Sequence, residues 1–398
     1  MTSYIVAAQR TPIGSFSGAL ANLRVDDMLA QLLKSWSSRA GFALSEIDDV
    51  IVGCANQAGE DNRNLARMAV LLAGFPQSVP ATTINRLCGS SLDAVMDAHG
   101  RIQAGLVDCV IAGGAESMSR APYVMSKAST AFDRGQQMWD TALGWRFPNS
   151  KMSALFPLLG MGETAEEVQK LTGVSRQDQD AWALRSHQNA TQAWANGLFN
   201  DEVVPLIVEG KKESITVARD EGPRADTSLE KLAKLRPAFA KDGSVTAGNS
   251  SSLNDGASMV VVCSEAFVKR HHLKPLARIT GGATAGRDPS TMGLGPVDAV
   301  QRLSKRFNLK ASNFDLVELN EAFAVQVLGS LRALEIDPAR VNRQGGSIAL
   351  GHPLGCSGTR ILTTLLHQMK RDPKLKTGLA SMCIGVGQGI AVSVENCS

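Results

Sequence analysis

No C-x-x-C pair occurs in this chain of 398 residues, and its seven cysteines (Cys54, Cys88, Cys109, Cys263, Cys356, Cys383, Cys397) are odd in number and scattered. That excludes a zinc knuckle and a disulfide framework, and it implies free thiols in a reducing compartment. No apolar run approaches the ~20 residues a membrane helix needs, so no membrane partner is expected. Lysine and arginine form no dense block and the formal net charge is only +3, which argues against a nucleic-acid face. A local positive site for an anionic ligand is still compatible with that charge. The P-loop, G-x-S-x-G and H-E-x-x-H patterns are missing, and no metal-ligand spacing occurs. "SYIVAAQRTPIG" already reads as a strand and a turn, so no targeting segment is expected before the fold, and the expected location is cytoplasmic.

Hydrophobic residues supply 44% of the chain and charged residues 20%, enough for a sizeable core. Short apolar runs alternate with amphipathic segments. "YIVAA" (4–8) and "DVIVGC" (49–54) read as strands, while "VDDMLAQLLKSW" places Val25, Met28, Leu29, Leu32, Leu33 and Trp36 on one helical face. "ARMAVLLAG" (66–74) reads as a helix. "TTI" then leads through Cys88 into helical spacing at Leu92, Val95, Met96 and Ile102, and "VDCVIAGGAES" closes the set as a strand. The C-terminal third repeats the plan: "FDLVEL" (314–319) echoes "IDDVIVG", "RVNRQGGSI" (340–348) echoes "TINRLCGSS", and "LASMCIGVG" (379–387) echoes "DCVIAGGAE". Two similar α/β halves follow from this: 1–117, completed by about 248–272, and 273–398. Between them, 118–247 has a different, methionine-rich texture and a strong helix opening at Ser175 with Asp178 in an acidic capping pattern. A long excursion of this kind is a natural carrier of substrate-binding elements.

Four places can carry chemistry. Cys88 lies at a strand-to-helix turn, where unpaired N–H groups and the helix dipole favour a thiolate, against the ordinary role of a buried small residue. His352 sits in "GGSIALGHPLGCSG" (345–358) among five glycines, followed by a proline that fixes the backbone. Cys383 ends an apolar run in "SMCIGVGQGIAVSV" (381–394). Its Gly385-Val-Gly387-Gln-Gly389 turn imitates a dinucleotide fingerprint but leads into a strand, which disfavours a Rossmann dehydrogenase. Asn320 and Glu321 in "ELNEAFA" follow a buried strand directly and need partners. His271-His272 read as a solvated helix end.

Those motifs, in this order and together with "VTAGNSSSLNDGA", resemble the thiolase family over nearly the whole chain. The resemblance implies an α/β thiolase fold: two pseudo-symmetric βαβαβαββ halves in a five-layer αβαβα arrangement, plus a loop domain. It implies Cys88 as the nucleophile that carries an acyl thioester, His352 as its base, and Cys383 as the acid/base at the α-carbon. His352 and a water held by Asn320 would stabilise an enolate, and the N–H groups of Cys88 and Gly385 a tetrahedral oxyanion. Coenzyme A is implied as substrate and product, with no tightly bound cofactor and no metal. Arg224 matches the position near its 3′-phosphate, Ser251 and Ala247 the pantetheine loop, and Phe239, Met161, Met292, Ala322 and Phe323 the tunnel wall. Ser252 stands where glycine is common in the family. Gly160 stands where acetoacetyl-CoA-forming members carry histidine, which turns the expectation toward a degradative enzyme. "GCANQAGEDNRNLARMA" and "GWRF" are similar to 3-oxoadipyl-CoA thiolases. The alternatives are a biosynthetic acetoacetyl-CoA thiolase, a decarboxylating synthase on the same fold, and a non-catalytic CoA- or lipid-binding relative. CoA thioesters are the expected partners, and a homodimer or homotetramer the expected assembly.

Overall fold

A computed structural model describes all 398 residues. The main strands are β1 (Ser3–Arg10), β2 (Asp49–Gly53), β3 (Ala81–Ile84), β4 (Cys109–Ser117), β5 (Asn254–Ser264), β6 (Ala277–Gly286), β7 (Leu316–Leu319), β8 (Thr377–Ile384) and β9 (Gln388–Asn396). The longer helices are α1 (Val25–Ser37), α2 (Leu65–Leu72), α3 (Ser90–Gln103), α4 (Met161–Thr172), α5 (Arg176–Ala195), α6 (Gly295–Phe307), α7 (Ala324–Leu334) and α8 (Ser357–Arg371).

Strand order across the sheet is β7-β8-β9-β6-β1-β5-β4-β2-β3, which is pseudo-symmetric about its centre but for the extra edge strand β3. From the centre outward, β1-β5-β4-β2-β3 matches β6-β9-β8-β7, and the halves join where β1 and β6 pair antiparallel at Tyr4 with Arg278 and Ile5 with Ala277. The partner of β3 is present only as a single parallel bridge from Val317 to Val341. The repeat read between "TINRLCGSS" and "RVNRQGGSI" therefore corresponds to equivalent places in the two halves.

Burial on both faces explains why the strands are continuous apolar runs. In β4, Cys109 and Ile111 pack outward with Val25, Met28, Leu29 and Leu32 of α1, while Val110 and Ala112 face Leu92 and Val95 of α3. In β8, Leu379 and Cys383 face the core shared with α6 and α7, and Ala380 and Met382 face Ile361 and Leu365 of α8. Successive side chains alternate between faces, so each strand feeds two cores. Helices α1 and α2, one half-sheet, the central pair α3 and α8, the other half-sheet, and α6 with α7 make the five layers.

The excursion 118–247 carries α4, α5 and two small hairpins. Arg10, at the end of β1 and fully buried, holds it: Nε meets Glu202 Oε1 at 2.6 Å and Nη1 meets Asp220 Oδ1 at 2.7 Å. Ser175 caps α5 as expected, accepting from the Asp178 N–H at 3.1 Å. The reciprocal half of the box is absent, because the Asp178 carboxylate turns to Arg332 instead. His271 also departs from its reading as solvated: its ring stacks on Phe267 at 4.4 Å and lies near Glu46. Only His272 is exposed.

A close backbone approach at the end of β4 positions the site. A Cβ on Gly114 would lie 1.9 Å from the Gly355 carbonyl oxygen, in the loop that carries His352. Gly114→Ala should therefore force that loop outward. The expected cost is about 1–3 kcal/mol, as for other overpacked interiors, with loss of turnover. Denaturant unfolding together with an activity assay checks both; wild-type values for both would contradict the packing argument.

Candidate active site

The turn between β3 and α3 holds Cys88. Leu87 adopts φ 48°, a left-handed conformation unusual for a bulky residue, and Ser90 Oγ braces it by accepting from Arg86 N (2.8 Å) and donating to Leu87 O (2.6 Å). Opposite, Gly351 (φ 108°) leads into His352; a Cβ there would strike the Asn254 amide at 2.5 Å. Asn254 Oδ1 accepts from the His352 N–H at 2.9 Å, and Ser252 Oγ donates to the same oxygen at 2.9 Å. The serine in place of the family's common glycine thus adds a brace.

Hydrogen-bond direction sets the imidazole tautomer. Ser357 Oγ donates to Pro353 O (2.8 Å), so its lone pair accepts from His352 Nδ1–H (2.6 Å). Nε2 is left unprotonated. On the other side, Arg360 Nη2 donates to Ser347 Oγ (2.9 Å), whose proton goes to Asn320 Oδ1 (2.6 Å). Asn320 Nδ2 is thereby turned toward His352 Nε2 at 3.4 Å. A buried guanidinium two bonds away fixes which end of the Asn320 amide faces the site.

One cavity of about 380 Å³ brings together Cys88, His352, Cys383 and Gly385 with Ser251, Met161, Met292, Ala322, Phe323 and Phe239. Asn320 reaches it through His352. The cavity continues past Ser250, Ser252 and Leu253 into an outer cleft of about 450 Å³, where Arg224 and Ala247 lie. Arg224 is exposed and its N–H donates to His187 Nδ1 at 3.2 Å. The 249–251 loop is zipped to the 322–324 segment, with Ser251 N donating to Ala322 O and Ala324 N to Asn249 O, both at 2.9 Å. Phe239 meets Phe323 edge-on at 6.3 Å. A third arm of about 240 Å³ leaves Cys88 on the other side, past Gly160, Leu143 and Trp145.

Glu321 takes no part in this cavity. Its carboxylate accepts from Trp182 Nε1, Ser186 Oγ, Asn342 Nδ2 and Ile348 N, which makes it an internal brace between the excursion and the C-terminal half. Sequence reasoning missed Ser347, Ser357, Asn254, Arg360 and Glu116. The Glu116 carboxylate accepts from Ala55, Asn56 and Gly355 N–H groups and so ties the Cys88 side to the His352 loop. Ser347, Ser357 and Asn254 lie inside motifs already singled out, but a hydroxyl or amide there has no signature of its own.

Charge at the site differs from expectation. Burial pushes the Cys88 thiol up to about 11, against the opposing pull of the Gly385 and Cys88 N–H groups, so no resting thiolate forms. Desolvation outweighs the helix terminus because the surrounding walls are apolar. The Cys383 thiol is pushed up as well, by burial and then by the neighbouring Cys88. Burial first, and Arg360 second, lower His352 to about 3, so the imidazole is neutral at any working pH.

Comparison with known proteins defines the class to which this site belongs. Residues 3–266 match the family model "Thiolase, N-terminal domain" and residues 273–396 match "Thiolase, C-terminal domain". The chain is 53% identical over 395 residues (98% of each chain) to the beta-ketoadipyl-CoA thiolase of Pseudomonas knackmussii. It is 50% identical over 397 residues (99% of each) to the 3-oxoadipyl-CoA/3-oxo-5,6-dehydrosuberyl-CoA thiolase of Escherichia coli. Among solved structures, the Bacillus anthracis acetyl-CoA acetyltransferase superposes with a TM-score of 0.93 at 40% identity, covering 99% of this chain and 98% of the other. Human mitochondrial 3-ketoacyl-CoA thiolase superposes with a TM-score of 0.91 at 40% identity, covering 99% of both chains. The molecule is thus an acyltransferase that works on coenzyme A thioesters. It belongs to the thiolase family, and its reaction is the CoA-dependent cleavage of a 3-oxoacyl-CoA to acyl-CoA and acetyl-CoA. No helix is long and apolar enough to cross a membrane.

A histidine with an ordinary pKa would impose an acid limb near pH 6.5, whereas the His352 imidazole, lowered to about 3, titrates far below that. Single-turnover acylation should therefore show no downward inflection between about pH 5 and pH 8. An inflection between about pH 6 and pH 7 that vanishes in a His352→Ala variant would refute the neutral-base assignment.

Proposed function

We propose that Cys88 carries the acyl group and that the enzyme acts in the degradative direction on a short 3-oxoacyl-CoA of the 3-oxoadipyl type. The observation that carries this reading is the convergence of Cys88, His352, Cys383 and Gly385 on one cavity continuous with the Arg224 cleft. His352 Nε2 takes the Cys88 proton, and the thiolate attacks the 3-oxo carbon. The C2–C3 bond breaks, its electron pair leaves as the enolate of acetyl-CoA, and the Cys383 thiol protonates C2. Free CoA then gives its thiol proton to the Cys383 thiolate and attacks the acyl carbonyl. Cys88 leaves and recovers its proton from the His352 imidazolium, so both halves close the proton balance. Cys88 and Gly385 N–H groups face the tetrahedral oxyanion, while His352 and the Asn320 amide, through a water, face the enolate oxygen.

Substrate class is supported by the names of the relatives and by Gly160. Gly160 has φ −69°, so its backbone does not require glycine, and a Cβ there would meet only the Glu163 carboxylate at 3.4 Å. The missing side chain leaves room to the third arm of the cavity, which favours an acyl group longer than acetyl. The excursion 118–247 supplies most of the walls of that arm and of the Arg224 cleft. Free thiols support a reducing, cytoplasmic setting, and an edge strand β3 without a buried residue supports a homodimer or homotetramer. The reaction written here needs no bound cofactor.

Intact mass after mixing with 3-oxoadipyl-CoA in the absence of free CoA should reveal a succinyl adduct on the Cys88 peptide. Cys88→Ser should abolish it. Cys383→Ala should still be acylated by a simple acyl-CoA yet fail to cleave the carbon–carbon bond. An adduct on any other residue, or rapid cleavage by Cys383→Ala, would overturn the assignment. Arg224→Ala should raise the KM for CoA and leave that for dephospho-CoA in place; equal losses would remove the phosphate contact.

A further inference from the structure

The third arm of the cavity contains a single cation. Around Cys88 it is walled by Met118, Leu143, Leu159 and Leu354, and among its lining residues only Arg146 carries a positive charge. Arg146 is half-buried, and its one hydrogen bond is a long contact from Nη1 to Thr141 O at 3.4 Å. Other arginines nearby are committed: Arg86 to Asp93, Arg24 to Asp26 and Arg120 to Glu60. Glu116 shares the arm but spends its carboxylate on three backbone N–H groups, so it does not neutralise Arg146.

A guanidinium partly withdrawn from water without a counter-ion is costly, unless an anion joins it. The loop bearing it is also held in place beforehand. Trp145 Nε1 donates to Leu159 O at 3.0 Å, and Thr141 Oγ1 donates to Pro122 O at 2.6 Å while accepting from Asn56 Nδ2 at 2.9 Å. Ordering cost is thereby met before ligand arrives.

We propose that Arg146 binds the terminal carboxylate of the acyl group on Cys88, making this arm a subsite for 3-oxoacyl chains that end in a carboxylate. This rests on the thiolase assignment of Cys88 and deepens it. In a succinyl-Cys88 intermediate two methylenes separate the thioester carbonyl from the carboxylate. The apolar walls cover the methylenes, and the planar guanidinium matches the carboxylate with two parallel hydrogen bonds. A methyl-ended chain of the same length leaves Arg146 desolvated and unpaired, so the arm discriminates against it.

The test compares kcat/KM for 3-oxoadipyl-CoA and 3-oxohexanoyl-CoA, which differ by a carboxylate in place of a methyl group. Wild type should favour the former, and Arg146→Gln should shrink that ratio by about 10–10²-fold, the loss expected for a charge-assisted hydrogen-bonded pair. Arg146→Lys should retain an intermediate ratio, since it keeps the charge and loses the fork. A ratio unchanged in Arg146→Gln, including equal losses on both substrates, overturns the role of Arg146 while leaving the thiolase assignment intact. A wild type that favours 3-oxohexanoyl-CoA overturns the carboxylate subsite itself. Absence of thiolysis with either substrate would refute the parent reading of the site.

Discussion

Everything at the site depends on the near-collision of two helix N-termini. Helices α3 and α8 run between the half-sheets, and Ser91 Oγ bridges them by donating to Cys356 O (3.1 Å) and accepting from Thr359 N (2.9 Å). A Cβ on Gly358 would sit 2.5 Å from Leu92 N, so the backbones are as close as glycine allows. Cys88 precedes one helix and His352 precedes the other. Two residues 264 positions apart meet because their helices are equivalent members of the two halves and converge at the same ends. The sheet then delivers Cys383 and Gly385 from β8 and its hairpin, directly beneath.

Neutrality is the second organising constraint. Both thiols and the imidazole are held uncharged by apolar surroundings, so little charge has to be stripped of water when the substrate enters. Charge then has to develop with the reaction itself. The polar chain from Arg360 through Ser347 to Asn320 shows how a permanent cation serves such a site from a distance. It orients the Asn320 dipole through Ser347, and its charge adds to burial in keeping the His352 imidazole neutral.

Much of this was legible in residues that announce themselves by pattern. Apolar runs such as "VIVG" and "CVIAGG" mark strands because both faces are buried, and the spacing of Val25, Met28, Leu32 and Trp36 marks α1 because one face is. Motif order carried Cys88, His352 and Cys383 into one family likeness, and the structure brings them to one cavity. What was not legible depends on tertiary surroundings. The local turn around Cys88 argues for a thiolate, yet its ionisation is decided by walls drawn from 118–161 and 354–386. Ser347, Ser357 and Asn254 are ordinary polar residues until a fold aims them. Glu321 and Asn320 are adjacent in sequence and opposite in role, since one side chain turns to α5 and the other to His352.

The two halves are not equally finished at their rims. β3 closes one margin with four partly exposed residues, whereas its counterpart beyond β7 has shrunk to the Val341 bridge, with Asn342 occupying the Leu319 N–H and carbonyl through its side chain. A duplicated sheet with two equal open margins would extend copy upon copy into a fibre. With one of them blunted, only the β3 margin offers unpaired backbone groups, and edge pairing cannot propagate through the other.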